Sequence, residues 1–123
     1  MSLGQRMRKL FTKPYGSVRP LEAHDLVGQG AVLLDVREQA EWKVGHAPRA
    51  RHIPLSELGR RLREVPEGRH IVTVCRSGAR SASAARLLSR EGRTVSNLSG
   101  GMTAWARAGL PVVANGGRPG GVA

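Results

Sequence analysis

The chain has a single cysteine, Cys75, and it opens the run Cys75-Arg76-Ser77-Gly78-Ala79-Arg80-Ser81. Four β-branched or hydroxyl-branched residues precede it, Ile71, Val72, Thr73 and Val74, and an alanine-rich pattern of helical spacing follows over 82–90. This order predicts a buried strand, a tight loop and a helix start. A thiol placed there faces loop amides and a helix N-terminus, both of which favour an anion. Such surroundings lower a cysteine pKa and yield a thiolate nucleophile. Arg76 and Arg80 add fixed positive charge. Free cysteines are commonly inert core residues, but a core cysteine rarely sits between a strand and two arginines.

With 123 residues the chain has room for one domain and one core of ordinary size. Only 3% of residues are aromatic, so aliphatic side chains must fill that core. One cysteine excludes an intrachain disulfide and any CxxC pair. It also leaves no resolving thiol, so a sulfur intermediate on Cys75 must be discharged by a separate molecule. An unpaired thiol fits a reducing compartment, and a cytoplasmic location is expected. The net charge of +11 attracts anions. Arginine far outnumbers lysine, which GC-rich codon usage would produce, and no basic patch interleaved with aromatics appears, so no specific nucleic acid is expected. No stretch approaches the ~20 apolar residues of a membrane span. Residues 1–13 carry charges without a following apolar run, which argues against a signal peptide; they read as a loose basic arm.

Between the ends, strand and helix signals alternate. Pro20 suits a first helical turn, with Ala23, Leu26 and Val27 on its apolar face and Gly28 and Gly30 ending it. A continuous apolar run over 31–36 marks a strand buried on both faces. A short helix spans 38–44 with Trp42 as its anchor, and a brief strand over 51–54 ends at Pro54. Ser56 caps a helix carrying Leu58, Leu62 and Val65. Strands follow over 70–74 and 94–98. Gly92 closes the helix after Cys75, and a last helix with Met102, Trp105 and Ala106 stops at Gly109 and Pro111. About five strands alternating with helices imply a mostly parallel sheet covered on both sides, with ligands outside the carboxyl ends of its strands. The domains read as a basic arm over 1–16, one α/β domain over 17–113, and a disordered Gly-rich tail over 114–123.

Six segments in order resemble the rhodanese family: Leu33-Leu34-Asp35-Val36-Arg37-Glu38, Glu41-Trp42, Gly45-His46-Ala47-Pro48, His52-Ile53-Pro54-Leu55, the Cys75–Ser81 loop, and Leu98-Ser99-Gly100-Gly101-Met102-Thr103-Ala104-Trp105. The resemblance implies a three-layer α/β/α fold with a five-stranded sheet. It further implies that Cys75 takes a sulfane sulfur from a donor such as thiosulfate, becomes a persulfide, and passes the outer sulfur to cyanide, a thiol or a protein such as thioredoxin. Phosphatases related to this family carry Cys-x5-Arg, whereas Arg80 here makes Cys-x4-Arg. The shorter loop is sized for one sulfur atom. It also departs from the Cys-Gly-Ser/Thr-Gly-Val-Thr pattern of mercaptopyruvate sulfurtransferases, which favours thiosulfate or a similar donor.

In this reading Cys75 is the nucleophile and Arg76, Ser77, Gly78, Ala79, Arg80 and Ser81 bind substrate. One arginine could instead brace the loop, and Ser81 could cap the helix or reach the sulfur. Asp35 and Arg37 support the site structurally. His46 could act as a general base, but the resemblance assigns the matching residue to a turn; His52 packs in a strand, and His24 and His70 lack ligand-spaced partners, so neither a metal nor another cofactor is expected. Arg60, Arg61 and Arg63 form a solvated helix face or an acidic-partner surface. The alternatives are a persulfide carrier for a dedicated protein, and phosphatase or arsenate-reductase chemistry in the same loop.

Overall fold

Strands covered on both faces need apolar side chains on both, and the runs around 32–35 and 71–74 supply them at the centre of a sheet. In the computed structural model, which describes residues 14–123, five strands form that sheet: β1 (Gly16–Val18), β2 (Val32–Asp35), β3 (Arg51–His52), β4 (Ile71–Val74) and β5 (Val95–Leu98). Their spatial order is β1-β5-β4-β2-β3. Every pairing is parallel, with Asp35 opposite Val74 and Thr73 opposite Asn97. The mostly parallel sheet expected from sequence is thus parallel throughout.

Helices lie on both faces. On one, α1 (Pro20–Gly28) and α5 (Gly101–Arg107) bring Ala23, Met102 and Trp105 against Leu33, Val72, Val74 and Leu98. On the other, α3 (Leu55–Leu58) and α4 (Ala79–Arg90) bring Leu58, Ala84, Ala85 and Leu88 against Val32, Leu34, Val36, Ile71 and Cys75. Each fully buried large aliphatic side chain contributes about 1.5–3 kcal/mol. A short α2 (Gln39–Val44) buries none of its residues. The helix expected from a Ser56 cap is instead two pieces. Pro54 takes the N-cap position of α3, and a 3₁₀ segment over Gly59–Glu64 follows, broken at Arg61. Trp42 is not a core anchor: it is half-buried and stacks between His46 and His52, with ring centroids 3.6 and 4.7 Å away.

The two ends depart from expectation. Residues 1–13 of the basic arm lie outside the described residues. Tyr15 packs in the core, and the Ser89 hydroxyl donates to the Pro14 carbonyl, so the folded part starts ahead of Ser17. The tail over 114–123 folds back instead of trailing free. Val113 exchanges backbone hydrogen bonds with His46, Gly120 N–H donates to Val112, and Gly121 N–H donates to Val44. A Cβ on Gly45 would collide with Gly121, so a glycine is needed at that crossing.

Gly45 also meets a buried ion pair. Asp35 and Arg37 are both fully buried. Arg37 Nη2 donates to Asp35 Oδ2 at 2.8 Å and to the Gly45 carbonyl at 2.7 Å, while Nε donates to Oδ1 at 3.0 Å. His52 Nε2 lies 2.7 Å from the Arg37 carbonyl oxygen. The pair therefore ties the end of β2 to β3, to α2 and to the tail. Arg37→Met would strand the Asp35 carboxylate and is expected to cost about 3–5 kcal/mol. Urea unfolding of variant and parent measures this, and a loss under about 1 kcal/mol would mean that water replaces the guanidinium.

Candidate active site

Val74 ends β4 at the carboxyl edge of the sheet, and Cys75 follows, only 1% exposed. The chain must then turn sharply into α4. Gly78 does this at φ +117°, a region that side-chain-bearing residues resist. The helix begins at Ala79, three residues earlier than the alanine pattern suggested. Arg80 and Ser81 therefore belong to its first turn, and the amides left free at a helix N-terminus are brought to the sulfur.

Gly78 N–H donates to Cys75 Sγ at 3.1 Å and the Ser81 hydroxyl donates at 3.3 Å. Burial alone would push the thiol pKa up. The Ser81 hydroxyl, with the backbone amides of Ser81, Gly78 and Ser77, outweighs it and sets the thiol below its ordinary value. Ser81 thus reaches the sulfur, and its oxygen also lies 3.2 Å from the Gly78 carbonyl.

Several residues that the sequence reading did not single out hold this turn. Asn97 Nδ2 donates to the Gly78 carbonyl at 3.1 Å, and the Thr73 hydroxyl donates to the Ser81 carbonyl at 3.0 Å. The first amides of α5 are used the same way: Met102 N–H donates to the Cys75 carbonyl at 2.8 Å and Thr103 N–H to that of Arg76 at 3.1 Å. Gly101 permits this approach, because a Cβ there would land on the same two carbonyl oxygens.

The two arginines are not equivalent. Arg76 is exposed, as are Ser77 and Ala79. Arg80 forms a forked ion pair with Glu41 of α2, Nη1 to Oε1 at 2.6 Å and Nη2 to Oε2 at 2.9 Å. Chiefly through that hydrogen bonding, Arg80 holds the Glu41 carboxyl below its ordinary range. Asp35 and Arg37 stand at the end of the neighbouring strand and donate nothing to the sulfur. His70 Nε2 lies 2.8 Å from Ser96 Oγ, at the far end of β4. Among the described residues no cluster of three or more His, Cys, Asp or Glu could hold a metal. A cavity of about 450 Å³ lies on the α1/α5 face, with His24, Leu33, Arg49 and Trp105 in its walls; Cys75 packs against the opposite face and takes no part in it.

The Cys75 loop lies within the stretch of chain that matches a known family. Residues 19–108 match the rhodanese-like domain. This chain belongs to the rhodanese family. A sulfurtransferase of Allochromatium vinosum is 44% identical over 87 residues, 70% of this chain and 81% of that protein. The crystal structure of a rhodanese-related protein from Thermoplasma volcanium superposes with a TM-score of 0.76 at 30% identity, covering 80% of this chain and 98% of that one. That of a thiosulfate sulfurtransferase from Pseudomonas aeruginosa gives 0.74 at 27% identity, covering 81% of this chain but only 19% of that one. For three further curated relatives, the match covers 36–60% of their length. Among the described residues of this rhodanese domain, no helix is long and apolar enough to cross a membrane.

Two substitutions test the site. Ser81→Ala removes a donor to the sulfur and is expected to raise the thiol pKa, moving the iodoacetamide alkylation profile to higher pH; an unmoved profile would assign the hydroxyl to the Gly78 carbonyl alone. Gly101→Ala forces the loop away from α5, and with φ at +57° adds strain of about 1–3 kcal/mol. Lower thermal stability and slower alkylation at neutral pH are expected together.

Proposed function

We propose that this protein is a sulfurtransferase that moves a sulfane sulfur through a persulfide on Cys75. The observation that carries this reading is the pair of donors, Gly78 N–H and Ser81 Oγ–H, aimed at a sulfur with a lowered pKa. A persulfide is an anion near neutral pH, and the same cradle suits its charge. Membership of a family whose relatives include a sulfurtransferase and a thiosulfate sulfurtransferase supports it.

The chemistry is two displacements with no net redox change. The Cys75 thiolate attacks the outer sulfur of thiosulfate. A new S–S bond forms, and the donor's S–S bond breaks with its electron pair leaving on sulfite. An acceptor thiolate or cyanide then attacks the outer persulfide sulfur and expels the Cys75 thiolate. Neither step calls for a metal or an organic cofactor. Arg76, exposed one residue after the thiol, meets the anionic donor, and the discharging nucleophile comes from another molecule, a small thiol or a protein thiol such as thioredoxin. The four residues between Cys75 and Arg80 favour this chemistry over phosphate hydrolysis, for which a wider ring of amides is suited.

Intact-mass measurement after incubation with thiosulfate tests the reading. The protein is expected to gain one sulfur atom, the gain is expected to be absent in Cys75→Ser, and cyanide is expected to release it. No gain with thiosulfate, polysulfide or mercaptopyruvate would overturn sulfur transfer, and aryl-phosphate hydrolysis lost in Cys75→Ser would place the loop in phosphoryl chemistry. A gain discharged by a protein thiol but not by cyanide would make the domain a carrier for one partner.

A further inference from the structure

The Arg80–Glu41 pair joins α4 to α2 across 39 positions of sequence. Both terminal nitrogens of the guanidinium are spent on one carboxylate. That fork is the geometry by which arginine would otherwise grip an incoming oxyanion. Arg76, one residue after the thiol, makes no ion pair among the described residues and is exposed. We infer that Glu41 is a positioning residue: it fixes Arg80 beside the thiol cradle, offsets that arginine's charge, and leaves Arg76 as the cation that meets the donor.

Two opposite charges held side by side act on the sulfur as a weak dipole. The thiolate then depends on loop amides and Ser81 more than on Arg80. This matters for rate, because a thiolate loses nucleophilicity as its pKa falls. An uncompensated guanidinium would stabilise the anion but make it a poorer attacker. It would also offer a second cation to dianions such as phosphate. The other charges bearing on the pair are Glu38, at the N-cap of α2, and Arg37, which Asp35 balances.

The inference deepens the sulfur-transfer reading, and its first test does not use sulfur. Iodoacetamide alkylation of the full chain is followed against pH for the parent, Glu41→Gln and Arg80→Gln, with thermal melts as a check on folding. Glu41→Gln is expected to lower the thiol pKa by about half a unit, and Arg80→Gln to raise it. If Glu41 only clasps the loop, both variants loosen the amides and both raise the pKa; that result, or no shift in Glu41→Gln, overturns the inference. Should Glu41→Gln unfold, Glu41→Asp keeps the charge and is expected to leave the pKa at the parent value, whereas a lost clasp would raise it. In a second arm, the KM for thiosulfate is expected to fall several-fold in Glu41→Gln and to rise in Arg76→Gln. Absence of thiosulfate turnover in the parent would sink the donor reading while leaving the alkylation result to judge Glu41.

Discussion

An anion at a site with almost no solvent exposure must be satisfied by the protein itself. Cys75, buried and with a lowered thiol pKa, brings that requirement with it whenever it ionises. The residue is 1% exposed, and burial alone would push its thiol pKa up. The donors that outweigh burial come from a turn of four residues and the first turn of α4. That turn is stable only because other elements fix its outward-facing carbonyls. Thr73 and Asn97 hold two of them from β4 and β5, and α5 spends its leading amides on two more. The parallel sheet is what brings these elements to one edge. Parallel strands end together, so β4, β5 and the starts of α4 and α5 meet at their carboxyl side.

The chemistry of the site was readable where it is contiguous. Cys75 to Ser81 lie within one short run, and strand, turn and helix signals around them are strong. The anchors were not readable. Glu41, Thr73, Asn97 and Gly101 reach the loop from other elements, and each looks ordinary in its own segment. Glu41 reads as a helix-surface acid and Asn97 as a polar residue in a strand. Alanine periodicity starts only at 82, whereas α4 starts at Ala79 because the conformation of Gly78 sets it.

Core strands were legible and edges less so. Runs such as Val32–Asp35 and Ile71–Val74 announce themselves through apolar content. Gly16–Val18 does not, because three residues with one apolar side chain carry no alternation; its pairing with β5 exists only in the folded sheet. The tail is as hard to read, for a related reason. A glycine-rich stretch has the composition of a flexible segment, yet glycine is also what lets two backbones cross closely, as Gly45 and Gly121 do. Composition cannot separate those two uses.

The same short edges bear on how this molecule behaves in a crowded solution. An exposed strand edge is a template on which another chain can extend the sheet, the first step toward fibres and domain exchange. Here one border strand is three residues long and the other two. Neither offers a ladder long enough to recruit a foreign strand. Self-association by sheet continuation is therefore disfavoured, and contacts with other molecules fall to the helical faces and to the charged carboxyl edge where the thiol sits.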